Sequence, residues 1–288
     1  MTKKIILVIL LLLICTSGVC LMLYPYAAAR YAKSVRSEMQ TQYNDIVQEA
    51  DTSQTERILA SAQTYNTRLF AGEIDILDPE AYGYYSELKI PGTEIMAYVV
   101  IPKIGVELPI YHGIGDAELA KGCGHVPQTS LPVGGTNTHC AVSAHTGMAS
   151  GAMFSDLELL TPGDIFQLKV LGTTLTYEIQ SPEDINTVKP HEVELLQIRQ
   201  GEDLCTLITC TPFGVNSHRL LVRGHRIANP SEEVIQEYIA QVSTQKPDSV
   251  WEANYWGSIK YGLLTAGGIL LVFFVILAVY RRKKAKHE

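Results

Sequence analysis

The chain has 288 residues, 47% of them hydrophobic and 18% charged, with a formal net charge of −7. That length leaves room for one large domain or two small ones, with extensions. Lys3 and Lys4 contribute +2 and the tail from Arg281 onward contributes +4, so the stretch between them carries about −13. So acidic a body, without a basic stripe, argues against a nucleic-acid partner.

Taken in chain order, the first feature is Ile5 to Leu23, an unbroken run of apolar and small residues behind Lys3 and Lys4. It is long enough to cross ~30 Å of hydrocarbon as a helix. A cleaved signal peptide is the competing reading, because a basic start followed by an apolar run is also the leader pattern. The run exceeds the usual ~7–15 residues of a leader, which favours an uncleaved anchor. Ala27 to about Thr67 is polar and free of Pro and Gly, and it predicts one or two amphipathic helices leaving the membrane. Gly72 to Gly92 has loop composition, with Asp75, Asp78, Pro79, Gly83 and Pro91 as punctuation and Tyr82, Tyr84 and Tyr85 among them. Long ordered loops tend to be functional.

From Ile95 the pattern turns to strands. Met96–Ile101 and Val106–Tyr111 flank the turn Pro102-Lys103-Ile104-Gly105, and Asp116–Lys121 reads as a short helical turn. Gly122–Thr138 reads as loop, His139–Ala144 as a strand ending at His145-Thr146-Gly147, and Phe154–Leu160 as a short helix. Ile165–Leu171 and Leu175–Ile179 are joined through Gly172. Short strands separated by turn signals every ten or so residues predict a closed or nearly closed β-barrel. Leu204–Cys210 and the run from Arg219 flank Pro212, Gly214, Asn216 and Ser217, which predicts a hairpin with Cys210 and Arg219 facing each other at its mouth. Ser231–Thr244 follows as a helix with Ser231 as its N-cap. Tyr261–Tyr280 is an uncharged second span closed by Arg281, Arg282, Lys283, Lys284 and Lys286. Basic flanks stay on the cytoplasmic side, so both termini are expected inside and Arg30–Lys260 outside.

Of six cysteines, Cys15 and Cys20 lie in the first span, while Cys123, Cys140, Cys205 and Cys210 lie in the expected ectodomain. Four thiols in an oxidising compartment allow three complete disulfide pairings, and the sequence does not choose among them. Cys205 stands five positions before Cys210, so strand alternation puts the two on opposite faces and Cys205 in the core. Cys123, His125, His139 and Cys140 are zinc-compatible ligand types, but the paired C-x-x-C spacing of a structural zinc site is absent.

Three residues stand at strand ends beside loops: His145, Cys210 and Arg219. A thiol with pKa near ~8.5 is only a few per cent ionised at neutral pH, and a nearby cation raises that fraction. A histidine can be that cation and also the acid that protonates a leaving amine. An arginine, always charged, can stabilise an oxyanion. Together they suffice for acyl transfer through a thioester, although a Cys, a His and an Arg occur in almost any chain of this size.

The flanking residues narrow the choice. Thr206-Leu207-Ile208-Thr209-Cys210, with Arg219 nine positions on, resembles the TLxTC signature of the sortases, and Ser143-Ala144-His145-Thr146-Gly147 resembles their histidine segment. Ile101-Pro102-Lys103-Ile104, Leu108–Gly113, Thr129–Gly135, Cys210–Asn216 and His218–Gly224 are similar to the pilus-assembling class C enzymes. The likeness runs from about Tyr65 to Ile227.

It implies a mostly β fold: a closed eight-stranded sortase-type barrel with short helices, an N-terminal helical and lid segment, and two flanking transmembrane helices. The expected layout is a cytoplasmic start at 1–4, a signal-anchor at 5–24, a stalk and lid at 25–92 and the barrel at 93–228. A helix and linker follow at 229–260, then a span at 261–280 and a basic tail at 281–288. The resemblance also implies a cysteine transpeptidase acting on pilin or surface-protein substrates that carry an LPxTG-like sorting signal, with a lysine amine as acceptor and no cofactor or metal. Cys210 would be the nucleophile, His145 the acid and base, and Arg219 the oxyanion partner, with Thr209 and Thr211 lining the groove. The class C lid carries an Asp-Pro-aromatic motif. Here Asp78-Pro79 is followed by Glu80, so Asp78 is expected near Arg219 with Tyr82 in place of the aromatic. Two rivals stand beside this reading: a wall-anchoring enzyme of the same fold, and a non-catalytic membrane-tethered adhesin or assembly scaffold.

Overall fold

The computed structural model describes residues 2–148, 151–192, 194–244 and 249–284, with side chains of the first and last helices described only in part. The chain divides into two units, Pro25–Pro247 and a second made of Met1–Tyr24 with Asp248–Glu288.

Among the described residues of the larger unit, nine strands form one sheet: β1 (Ala97–Ile101), β2 (Val106–His112), β3 (Cys123–His125), β4 (Thr138–Ser143), β5 (Ile165–Val170), β6 (Thr173–Glu178), β7 (Ile185–Val188), β8 (Asp203–Thr211) and β9 (His218–Ile227). Their order is β6-β5-β1-β2-β3-β4-β8-β9-β7, and β6 also pairs with β9. That extra pairing, Thr176 to Glu178 against Ile227 to His225, closes eight strands into a ring and leaves β7 as a ninth strand on β9. β9 is long enough for both, meeting β7 over Arg219–Val222 and β6 over His225–Ile227. The eight-stranded barrel expected from the resemblance is therefore present. β3 falls inside the stretch read as loop, and β7 lies in a stretch the pattern left unassigned.

Alternation decides what each strand buries. Ala97, Val99 and Ile101 of β1 enter the barrel core, while Tyr98 faces outward yet is 1% exposed. It packs against Tyr43 with ring centroids 5.3 Å apart, because a helix covers that side of the barrel. This is why β1 reads as continuously apolar. Gly224 of β9 is required by close approach: a Cβ there would stand 2.5 Å from Phe166 Cε1 and 2.7 Å from Tyr177 Cβ. Those two rings stack inside the barrel at 5.5 Å.

In the N-terminal region one helix, α1, runs Thr2–Glu49 through Pro25, so the first apolar run and the start of the expected stalk are one helix. α2 (Thr52–Phe70) follows, with Asp51 as N-cap accepting from Ser53 N at 3.1 Å. α2 buries Ala62, Tyr65, Asn66 and Leu69, a helical i, i+3, i+4, i+7 stripe. Asn66 clamps the peptide groups of Leu131 from both sides, at 3.1 Å to its carbonyl and 2.7 Å from its N–H. The short α3 (Asp116–Lys121) stands where expected. α4 (Glu232–Thr244) follows Ser231 and buries Ile235, and Tyr238 bonds Asp164 Oδ1 at 3.2 Å.

In the smaller unit, α5 (Val250–Lys284) begins well before Tyr261, and Trp251 stacks on Tyr255 at 5.5 Å. Among the described residues no helix is long and apolar enough to cross a membrane. Many side chains of both apolar runs, and those of Lys3, Lys4 and Arg281–Lys284, are not described, and residues 285–288 lie outside the described residues.

Candidate active site

β8 and β9 form the expected hairpin, with Cys210 opposite Arg219 and Thr211 opposite His218. The loop between them turns on Pro212, whose carbonyl accepts from Val215 N at 3.0 Å and Asn216 N at 2.9 Å. On β8, Cys205, Leu207 and Thr209 point into the barrel, so Thr206, Ile208 and Cys210 point out. β4 runs parallel to β8 with Ser143 opposite Ile208. The pairing continues past the strand end, because Ala144 N donates to Ile208 O at 3.0 Å. Two residues beyond Ser143 and Ile208, that register brings His145 level with Cys210 on the outer face. His145 lies just past the end of β4, so the row runs from there across β8 to β9: His145, Cys210, Arg219.

Each member is held by a separate device. The peptide of His145 is tied on two sides: Thr209 Oγ1 donates to Ala144 O at 2.9 Å, and Phe154 N donates to His145 O at 3.1 Å. Gly147 N then donates to Ser155 Oγ at 2.9 Å, and Gly147 itself, at φ 75°, packs beside the Phe213 ring of the hairpin loop. Arg219 Nη1 rests on the carbonyls of His218 at 3.0 Å and Asn216 at 3.3 Å. Among the described residues no carboxylate pairs with Arg219, so its charge is not neutralised within the hairpin. Cys210 is a free, partly exposed thiol. Cys123, Cys140 and Cys205 are also free but buried, and burial pushes the Cys123 and Cys205 thiols well above the ordinary range. Neither is suited to nucleophilic work.

Below the row lies an apolar floor of Ala141, Ile208 and Leu221, against which Val126, Val188, Leu195 and Leu196 pack. Below that, the same face turns polar. Arg223, opposite Thr206, pairs with buried Asp184 at 2.7 Å, and His225 reaches the same carboxylate oxygen at 3.1 Å. Burial opposes ionisation of Asp184, but the hydrogen bonds from His225 and Arg223 outweigh it and hold the carboxyl below its ordinary value.

Several expected positions change role. Thr209 faces the barrel interior and is 3% exposed, so it supports the His145 segment from behind and does not line a groove. Thr211 stays beside Cys210 at the mouth, partly exposed. Asp78 does not reach Arg219. It is exposed and caps the 3-10 turn Pro79–Tyr82, accepting from Ala81 N at 3.3 Å. Tyr82 packs against the main core, and the anchor of the segment is Tyr84, fully buried with its hydroxyl 2.8 Å from His125 Nδ1. The zinc-compatible histidines have other partners. His125 Nε2 donates to Ser130 O at 2.8 Å, and both ring nitrogens of His139 are engaged by Gln197 O and Thr206 Oγ1. The sequence pattern reads Thr206 only as part of the signature and His139 only as a zinc-compatible ligand type, and it assigns nothing to 189–202. The available signal was the even-numbered alternation that puts Thr206 on the face of Cys210.

A closed β-barrel with a partly exposed thiol at a strand end opposite an arginine is the arrangement that the likeness to the sortases implied. The Sortase domain family model matches residues 99–227. Among solved structures, sortase C1 of Streptococcus agalactiae is 40% identical with a TM-score of 0.61, covering 66% of this chain and 98% of that one. Sortase C-1 of Actinomyces oris is 46% identical with a TM-score of 0.56, covering 61% and 99%. Sortase C of Streptococcus pneumoniae, whose structure is described in terms of catalysis and pilin substrate specificity, is 41% identical with a TM-score of 0.61, covering 67% and 98%. Sortase A of Streptococcus agalactiae serotype III is 30% identical over 129 residues, spanning 44% of this chain and 51% of that protein. The chain thus spans about half the length of that curated relative. The chain belongs to the sortase family, and the solved structures named above are sortase C enzymes.

Proposed function

We propose that this chain is a pilus-class transpeptidase that cleaves an LPxTG-like sorting signal and joins the freed acyl group to a lysine amine of another pilin subunit. The observation that carries the reading is the single outward row of His145, Cys210 and Arg219 above an apolar floor. The Cys210 thiolate attacks the Thr carbonyl carbon, and the oxyanion that forms is met by the Arg219 guanidinium. The Thr–Gly C–N bond then breaks, the amine leaves with a proton from His145, and a thioester remains on Cys210. The lysine amine attacks that thioester, gives a proton to His145, and releases Cys210 as an isopeptide bond forms. Identities of 35–46% to sortase C structures, against 30% and 25% to two sortase A proteins, support polymerisation over wall anchoring. We further assign Ile5–Leu23 and Tyr261–Tyr280 to the membrane, with both basic flanks inside, on their length, lack of charge and flanking lysines and arginines.

The test incubates the full chain in detergent with an LPxTG-type peptide and follows mass. A covalent acyl adduct on Cys210 is expected, absent in Cys210→Ala, and converted to an isopeptide by a lysine-bearing pilin peptide. No adduct with any of a range of sorting peptides refutes the enzyme reading; an adduct released only by water refutes polymerisation.

A further inference from the structure

The stretch 189–202 leaves β7 next to Arg219, since Val188 pairs with Arg219. It re-enters the sheet at Asp203, beside Thr138 of β4. Between those points it has to cross the outer face of β9 and β8, the face that carries the catalytic row. Its regular structure is the 3-10 turn Glu194–Leu196. Leu195 and Leu196 pack on the floor of Ala141, Ile208 and Leu221. Ile208 and Leu221 each stand two residues from a member of the row, so this loop forms a wall beside Cys210. Its C-terminal end is fastened through backbone groups, with Gly201 N on Asn137 Oδ1 at 2.6 Å and Thr138 N on Glu202 O at 3.1 Å.

The middle of the loop is fastened differently. Gln197 O lies 2.9 Å from His139 Nδ1, and His139 Nε2 lies 2.7 Å from Thr206 Oγ1. A carbonyl oxygen only accepts, so Nδ1 carries the proton. Nε2 is then the acceptor, and the Thr206 hydroxyl donates to it. His139 is 0% and Thr206 1% exposed, so neither group exchanges its partner for water. Burial, reinforced by the nearby Arg223, Arg199 and His225 charges, pushes the imidazole down to about 4, which keeps this neutral tautomer in place at neutral pH.

We infer that His139, oriented by Thr206, is a positioning residue that fixes the Leu195–Gln197 wall over the Cys210 face and thereby sets the affinity for the acyl-donor peptide. The inference rests on the transpeptidase reading above and deepens it. It gives Thr206, at the head of the Thr206–Cys210 segment, a task separate from catalysis. A peptide lying extended beside Cys210 needs a wall already in place, because ordering a loose loop on binding subtracts from affinity.

The test compares His139→Leu and Thr206→Val with the restoring variants His139→Asn and Thr206→Ser, all in the full chain. Active sites are counted by thiol titration of Cys210. With an LPxTG-type peptide, His139→Leu and Thr206→Val are expected to raise KM about three- to tenfold, the worth of one net hydrogen bond, with kcat within about twofold of wild type. Amide hydrogen exchange over 194–198 is expected to speed up in the same two variants, and Thr206→Ser to restore both readouts. An unchanged exchange rate refutes the latch whatever the peptide does. Faster exchange with an unmoved KM, or a fall in kcat alone, refutes the positioning role. A wild type that forms no adduct refutes the proposed reaction, while exchange in the same samples still decides whether His139 holds the loop.

Discussion

Acid should unfold this protein through two histidines that are buried neutral. His139 and His112 are both held down to about 4 by burial, and His112 Nε2 donates to Glu87 O at 2.7 Å. In the unfolded chain each titrates near ~6.5. Between about pH 4 and 6.5 the unfolded state therefore binds more protons than the folded one, and stability rises with pH. The contribution is fully present above about 6.5 and is lost as the pH falls towards 4. At pH 5 the linkage relation gives about 2 kcal/mol lost per histidine, so about 4 kcal/mol for the pair relative to neutral pH. That is a large part of the 5–15 kcal/mol typical of a domain. Asp203 and Glu87 are raised by burial and work the other way, which makes the figure an upper value. Urea unfolding at pH 7, 6 and 5 measures it, and His112→Gln and His139→Gln should each remove about half of the slope. A free energy constant within about 1 kcal/mol from pH 7 to 5, or a slope indifferent to both substitutions, would refute the reasoning.

Three further outcomes follow from packing and pairing. Gly224→Ala should cost about 1–3 kcal/mol, because its Cβ would press on Phe166; thermal unfolding reads the loss, and adding Phe166→Leu should return part of it. Arg223→Ala takes the guanidinium from the buried Asp184 carboxylate, which keeps His225 and Ser181, and should cost about 1.5–3 kcal/mol, with Asp184→Asn in the same chain recovering part of it; equal stability of single and double variants would contradict the pairing. Thr209→Val leaves the Ala144 carbonyl without its donor, so we expect a loss of about 1–3 kcal/mol together with slower acylation of Cys210, and Thr209→Ser to rescue both in unfolding and stopped-flow measurements.

Much of the barrel could be read from local chemistry. Strands β1, β2, β5, β6, β8 and β9 announce themselves through apolar runs bounded by Pro, Gly and Asn, and the Cys210–Arg219 pairing followed from the hairpin alone. β3 is three residues long and pairs in parallel with β2, so it leaves no period to detect. β7 has four residues, intermediate or exposed, and is recruited by the overhanging length of β9. Pro25 does not end α1, which is propagated on both sides of it. Asp78 was drawn toward Arg219 by analogy, whereas its nearest unsatisfied donors are those of the 3-10 turn it precedes, and the local bond wins. The placement of His145 beside Cys210 depends on a parallel pairing between segments 65 residues apart, which no local pattern encodes.

The segment Thr206–Cys210 shows how one strand carries two programmes at once. Its odd positions face inward: Leu207 fills the barrel, and Thr209, also inside, spends its hydroxyl on the carbonyl of Ala144 and so fixes the peptide that carries His145. Its even positions face outward: Thr206 orients His139 under the loop, Ile208 forms the floor, and Cys210 emerges at the end where that floor opens to solvent. The two threonines are not interchangeable, because one acts on the strand that brings the acid–base group and the other on the wall that the acyl donor would meet. A polar side chain at either place costs burial of a hydroxyl, and in both the hydroxyl is matched by a buried acceptor within 2.9 Å. The thiol itself has no such partner in its strand. Its reactivity has to come from the neighbours on either side, which is why the pairings of β8 with β4 and with β9, more than the cysteine alone, make this a site.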